Sequence, residues 1–204
     1  MIKINNLTKK YKDKLAVDNL NLEIKTGELF SLLGTNGAGK TTTIKMLSTL
    51  ILPTSGEVEI NNLDLVKDSS KIKEIINISP QETAVASNLT VLENLYFMAG
   101  IYQIPNKEDK IKELIKLFKL EEVLKQKART LSGGYQRKLS IAISLINDPK
   151  ILFLDEPTLG LDVISRHDLW KVIEALKGKT TIILTTHYME EAEVLSDRIG
   201  IMNK

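Results

Sequence analysis

Residues 34–42 read Gly-Thr-Asn-Gly-Ala-Gly-Lys-Thr-Thr, a complete G-x-x-x-x-G-K-[ST] pattern between the apolar run Leu29 to Leu33 and an apolar-periodic stretch from Thr41 to Leu50. A strand, a glycine-rich turn and a helix in that order make a cradle for nucleotide phosphates. Gly34, Gly37 and Gly39 allow the backbone of Thr35, Asn36 and Ala38 to turn its N–H groups inward, and the positive end of the following helix points to the same place. Lys40 adds a full charge at the β- and γ-phosphates, Thr41 a hydroxyl ligand for Mg²⁺, and Thr42 continues the first helical turn.

The rest of the chain reads as one α/β unit. Alternating patterns at Ile2 to Leu7 and Leu20 to Ile24 predict half-buried antiparallel strands ahead of the phosphate loop. Pro53 to Gly56 reads as a turn, Val58 to Ile60 as a short strand, and Ile75 to Ser79 as a strand stopped by Pro80. From Val91 to Ile146 the apolar residues recur at three- and four-residue spacing, which predicts a helical insert. Strand and helix then alternate through Ile151 to Leu154, Ile164 to Leu176, Thr180 to Thr185, Met189 to Leu195 and Arg198 to Met202, the pattern of a parallel sheet with right-handed crossovers. The phosphate loop belongs at the carboxyl edge of that sheet.

Composition excludes several roles. With 28 Lys and Arg against 26 Asp and Glu, a net charge of +2 offers no general attraction to nucleic acid. Apolar runs such as Ile151 to Leu154 fall far short of the ~18 residues needed to cross a bilayer, and the amino-terminal residues show no signal-peptide core. With no cysteine, the chain has no disulfide, thiolate zinc site or thiol nucleophile, and the cytoplasm is the expected compartment.

Two further motifs narrow the reading. Leu131-Ser132-Gly133-Gly134-Tyr135-Gln136 opens a helical stretch, and Ile151 to Leu154 delivers Asp155 and Glu156 at the end of a buried-type strand. With the phosphate loop, these resemble the nucleotide-binding domain of ATP-binding cassette (ABC) proteins. The order along the chain is also similar: Tyr11, the Walker A loop, Gln81, the signature at Ser132, Walker B at Asp155, the adjacent Glu156, the D-loop at Asp162 and the switch histidine His187.

The resemblance implies a P-loop NTPase (RecA-like) core with an amino-terminal antiparallel β-subdomain, in residues 1–81 and 148–204, and an inserted helical signature subdomain, in residues 82–147. It implies that Tyr11 stacks the adenine of ATP and that Thr41, Gln81 and Asp155 hold Mg²⁺. By the same resemblance Glu156 is expected to polarise the attacking water, His187 to contact the γ-phosphate and order that water, and Lys40 and Gln81 to complete the catalytic set. The resemblance also implies that Ser132, Gly133, Gly134 and Gln136 form a second anion site that closes over the nucleotide of another cassette, with Asp162 linking the two sites.

Gln81-Glu82-Thr83, the run Glu156 to Asp162 and the run Thr185 to Glu193 look more like the ATPase subunits of bacterial drug-resistance and ABC-2 type exporters. In those systems the transmembrane permease is a separate chain, which places the ATPase as a homodimer or paired cassette on the cytoplasmic face of the membrane. The alternative is a soluble ABC ATPase of translation or DNA metabolism. Members of this branch continue past the position of Lys204, so a carboxyl-terminal extension is expected. The acidic run Glu190, Glu191, Glu193 reads as a solvated helix face, and His167 as a surface residue.

Overall fold

The computed structural model describes residues 1–203 and contains two sheets. Strands β1 (Ile2–Tyr11), β2 (Lys14–Ile24), β4 (Ser55–Ile60) and β5 (Leu63–Asp64) form an antiparallel sheet in the order β2-β1-β4-β5. Strands β3 (Leu29–Gly34), β6 (Ile76–Ser79), β7 (Ile151–Asp155), β8 (Thr181–Thr186) and β9 (Arg198–Met202) form a parallel sheet in the order β6-β7-β8-β3-β9. The expected α/β class with a separate antiparallel sheet and a helical insert is therefore the observed one.

Side-chain alternation along the parallel strands divides the core in two. Phe30, Phe153 and Ile183 face the antiparallel sheet and join Ile2, Ile4, Val58 and Ile60 around Ile44, Met46 and Leu47 of helix α1 (Lys40–Leu47). Leu29, Leu152, Leu154, Ile182 and Leu184 face the other way. They pack with helices α3 (Val91–Ile101), α4 (Lys107–Phe118), α5 (Gly133–Ser144) and α6 (Val163–Glu174). Helix α7 (Met189–Leu195) joins β8 to β9.

Several boundaries differ from the sequence reading. Ser55 and Gly56 begin β4 and do not belong to a turn: Ser55 pairs with Thr8 of β1 and Glu57 with Asn5, with a register shift between them. Ile75 closes helix α2 (Ser69–Ile75) and only then does the chain extend; Ile72 is that helix's one buried residue, so it leaves almost no periodic signal. The alternation of β1 also breaks, since Asn6 takes φ +51° and the register shifts between Ile4 and Leu7, bringing Leu7 into the core. A bulge of this kind adds one residue and restores the apolar face beyond it.

Candidate nucleotide site

The buried β3 ends at Gly34 and the chain turns through residues 35–39 into α1. Gly39 stands at the N-cap with φ +97°, and a β-carbon there would lie 2.3 Å from the carbonyl oxygen of Ala16. No side chain caps this helix, so its first N–H groups remain directed at the cleft in front. Lys40 is 5% exposed and folds back across the turn. Its ammonium donates to the carbonyls of Gly34 (2.7 Å) and Thr35 (3.2 Å) and lies 3.2 Å from a Glu156 carboxylate oxygen.

The cleft in front has a volume of about 330 Å³. Tyr11, Asn36, Gly37, Gly39, Lys40, Thr41, Thr42, Gln81 and Glu156 line it, so residues distant in sequence meet here. Tyr11 ends β1, is 45% exposed, and has the Lys9 ammonium 5.1 Å from its ring centre. Gly34, Thr35, Asn36 and His187 line an adjoining hollow, while Ala38 is buried behind the turn, its N–H donating to the Thr35 carbonyl. A larger hollow of about 660 Å³, between Lys110, Leu117, Pro149 and Thr180, lies near the opposite ends of β7 and β8 and holds none of the predicted residues. Volume alone does not mark the site.

Both carboxylates come from the end of β7, whose register places Asp155 opposite Thr185 of β8. One Asp155 oxygen accepts the hydroxyls of Thr41 (3.1 Å) and Thr185 (2.5 Å). Glu156 takes φ +49°, uncommon for a residue with a side chain, and its N–H donates to the Thr185 carbonyl (3.1 Å) and hydroxyl (3.0 Å). That turn swings its carboxylate across the cleft. One oxygen meets Lys40 and the other lies 2.7 Å from Nδ1 of His187, which follows β8. Thr41 and Asp155 thus offer two hard oxygen donors in contact, a donor chemistry that would suit Mg²⁺; among the described residues no group of three His, Cys, Asp or Glu side chains stands ready for a metal.

The signature residues do not line this cleft. Ser132 is the N-cap of α5 and accepts the N–H of Tyr135 at 3.4 Å, with Gly133 and Gly134 in the first turn. A β-carbon on Gly134 would lie 2.8 Å from the Ser165 hydroxyl of α6, so the glycine permits these two helices to touch. Asp162 caps α6 with both oxygens on Ser165 (3.0 and 2.7 Å), bonds that hold its carboxyl below the ordinary range. Gln136 donates its amide to the carbonyls of Ala128 (3.1 Å) and Leu131 (3.2 Å), tying α5 to the turn before it. His167 is exposed, as expected.

Two residues escaped the sequence reading. Arg137 is buried, and its guanidinium donates to the carbonyls of Pro80, Gln81, Asp155, Glu156 and Pro157. It binds the strand leading to Gln81, the end of β7 and the following loop to α5. Burial draws its pKa down to about 10 against the pull of Asp155, Glu191 and Glu156, so it stays charged at neutral pH. The signal available was an arginine on a helix whose residues 137–144 are otherwise mostly apolar or small, leaving no solvent face for the charge.

Glu191 corrects the solvated-face expectation: Glu190 and Glu193 are exposed, but Glu191 is 0% exposed. It accepts the Thr158 hydroxyl (2.8 Å) and the Trp170 indole N–H (3.0 Å). Burial raises its carboxyl pKa, opposed by the hydrogen bonds from Thr158 and Trp170. Its shared face with Ala192 and Leu195 was the available signal.

A phosphate cradle at a sheet edge, two carboxylates and a histidine behind it, and a second glycine-rich helix start elsewhere define an ATP-binding cassette. The chain belongs to the ABC transporter family, whose model matches residues 17–159. It is 44% identical over 209 residues to the phospholipid-transporting ATPase ABCA3 of Homo sapiens, covering 100% of this chain and 12% of that protein. It is 40% identical over 205 residues to the "Probable multidrug ABC transporter ATP-binding protein YbhF" of Escherichia coli K12, covering 99% of this chain and 35% of that one. Among solved structures, a dimeric post-hydrolysis state of the cassette MJ0796 bound to ADP and Pi matches with a TM-score of 0.88 and 31% identity, over 100% of this chain and 94% of that one.

Proposed function

We propose that this chain binds and hydrolyses ATP and that two copies, or one copy and a second cassette, close head to tail around shared nucleotides. The observation that carries the proposal is a division of parts. Lys40, Thr41, Asp155, Glu156 and His187 converge at one edge of the parallel sheet, while Ser132, Gly133 and Gly134 present a second helix start outside that cleft.

On this reading the free N–H groups of α1 and the Lys40 ammonium hold the β- and γ-phosphates, and the Tyr11 face stacks the base. Thr41, Asp155 and Gln81 are the residues that would hold Mg²⁺, which would supply positive charge against the charge developing on the phosphoryl group. Glu156 accepts a hydrogen bond from the attacking water, and His187, anchored on the Glu156 carboxylate, faces the γ-phosphate. Ser132, Gly133 and Gly134 of the other cassette cover that phosphate, with Asp162 at the seam and Gln136 supporting the loop. Residues 82–147 move as a unit about Gln81, whose carbonyl meets Arg137 at 3.3 Å.

The work is delivered to a separate transmembrane permease, of the bacterial drug-resistance or ABC-2 exporter type, at the cytoplasmic face. Among the described residues no helix is long and apolar enough to cross a membrane. The names of the two relatives support transport as the purpose. Mixing Lys40→Ala chains with Ser132→Arg chains tests the shared site. Each variant alone is inactive, and the mixture regains activity with rising protein concentration, because one site of the mixed pair is wholly intact. Full activity of Ser132→Arg alone at every concentration overturns the shared site, and failure of any multi-spanning protein to co-purify from the native host overturns the permease assignment.

A further inference from the structure

We propose that Glu191 is a positioning residue for hydrolysis: by gripping Thr158 and Trp170 it sets His187 against Glu156. The inference rests on the reading of Glu156 and His187 as the hydrolytic pair. It begins from a carboxylate with no exposure to water, which is costly to bury and which an apolar residue could replace if filling space were its only task.

The partners of that carboxylate lie on two other segments. Thr158 is fully buried and two residues past Glu156, and Trp170 is on α6. Glu191 is in the first turn of α7, four residues past His187. A single oxygen, Oε1, therefore joins the segment bearing the histidine to the segment bearing the carboxylate, with α6 as the common support.

A second contact runs parallel to the first. The guanidinium of Arg166 lies 4.4 Å from the ring centre of Tyr188, and that ring is 4.0 Å from the ring of His187. Arg166 and Trp170 are four residues apart on one face of α6, and Tyr188 and Glu191 are three apart at the start of α7. This face of α6 thus holds the histidine segment at two points. At its amino-terminal end, next to Arg166, α6 is capped by Asp162, and its Ser165 abuts Gly134 of the signature turn. A displacement of α6 when a second cassette presses on Asp162 or Gly134 is carried to His187 through Tyr188 and Glu191, and it alters the environment of the chain's single tryptophan.

The test uses the full chain with Mg²⁺ and ATP and four variants, Glu191→Ala, Glu191→Gln, Thr158→Val and Trp170→Phe. Glu191→Ala lowers kcat about tenfold or more with KM for ATP changed less than about threefold, whereas Glu191→Gln, which keeps an acceptor oxygen, retains at least half of kcat. Glu191→Ala combined with His187→Ala is no slower than His187→Ala alone, since both lesions remove one function. Trp170 fluorescence shifts on adding ATP in Glu156→Gln chains, and the shift is lost when Glu191→Ala is added.

Additive losses in the double variant, or a normal kcat in Glu191→Ala, overturn the proposal. Should Glu191→Ala fail to fold, Thr158→Val must show the kcat-selective loss, and a normal kcat there overturns it equally. Glu156→Gln and His187→Ala serve as controls. If both turn over ATP like the parent, the underlying hydrolytic pair is wrong; if both are impaired and Thr158→Val and Glu191→Ala are not, only the role of Glu191 is wrong.

Discussion

Nδ1 of His187 lies 2.7 Å from one carboxylate oxygen of Glu156, whose other oxygen lies 3.2 Å from the ammonium of Lys40. Glu156 reaches both partners from a left-handed backbone, φ +49°, a conformation that costs an L-residue about 1–2 kcal/mol. The two hydrogen bonds from its N–H to Thr185 hold it there. Strain kept in place by neighbouring structure is a feature of functional sites, and here it brings the residue after Asp155 back across the phosphate cleft. Lys40 is engaged by Glu156 and by the Gly34 and Thr35 carbonyls, so phosphate oxygens entering the cleft must compete for it.

Tyr11 forms a wall of the cleft and is 45% exposed. Tyr11→Ala is expected to weaken ATP binding by about 1–3 kcal/mol, and Tyr11→Trp to preserve it, because any aromatic face stacks a base. Nucleotide titration followed by calorimetry measures both. Parent-like affinity in Tyr11→Ala would remove the adenine platform from the account.

Arg137 is a donor group shared by the Gln81 segment, the end of β7 and the loop after it. Arg137→Met leaves those buried carbonyls without it and is expected to cost at least about 3 kcal/mol of unfolding free energy. Arg137→Lys keeps the charge but loses the planar fork, and it should cost less in stability while still lowering turnover. Urea unfolding midpoints with parallel ATPase assays check this. Parent-like stability in Arg137→Met would mean that the carbonyls find water or other donors.

The site divides by how its signals are written in the sequence. The phosphate loop is local, so its place between β3 and α1 could be read directly. Asp155, Glu156 and His187 were placed at the carboxyl edge because the apolar runs before them read as buried parallel strands. Arg137 and Glu191 differ: their partners are carbonyls and side chains distant along the chain, and charge in a short window reads as solvent exposure. For the same reason the bulge at Asn6 and the helix Ser69–Ile75 escaped, one a backbone event and the other carrying a single buried residue. Gln136 shares its local pattern with the signature residues beside it, while its amide bonds carbonyls of the turn before α5.

Burial raises the Glu191 carboxyl above its ordinary value of 4.5. Between that value and the raised native one, the folded chain holds more protons than the unfolded chain, so this group's contribution to stability falls as pH rises through the window. Glu191→Gln abolishes the titration. Its unfolding free energy relative to the parent should therefore rise across the window and level off above the native pKa. Denaturant unfolding of both proteins at a series of pH values measures this. A difference independent of pH would show that Glu191 titrates alike in both states.

The central claim is that this cleft hydrolyses ATP with Glu156 directing the water. The measurement is steady-state ATP turnover alongside ATP affinity for the parent, Glu156→Gln and Lys40→Ala. Glu156→Gln should lose turnover by about two orders of magnitude or more while binding ATP at least as tightly as the parent, since Lys40 is no longer held by a carboxylate. Lys40→Ala should fail at binding. Near-parental turnover in Glu156→Gln, or undiminished affinity in Lys40→Ala, would contradict the account.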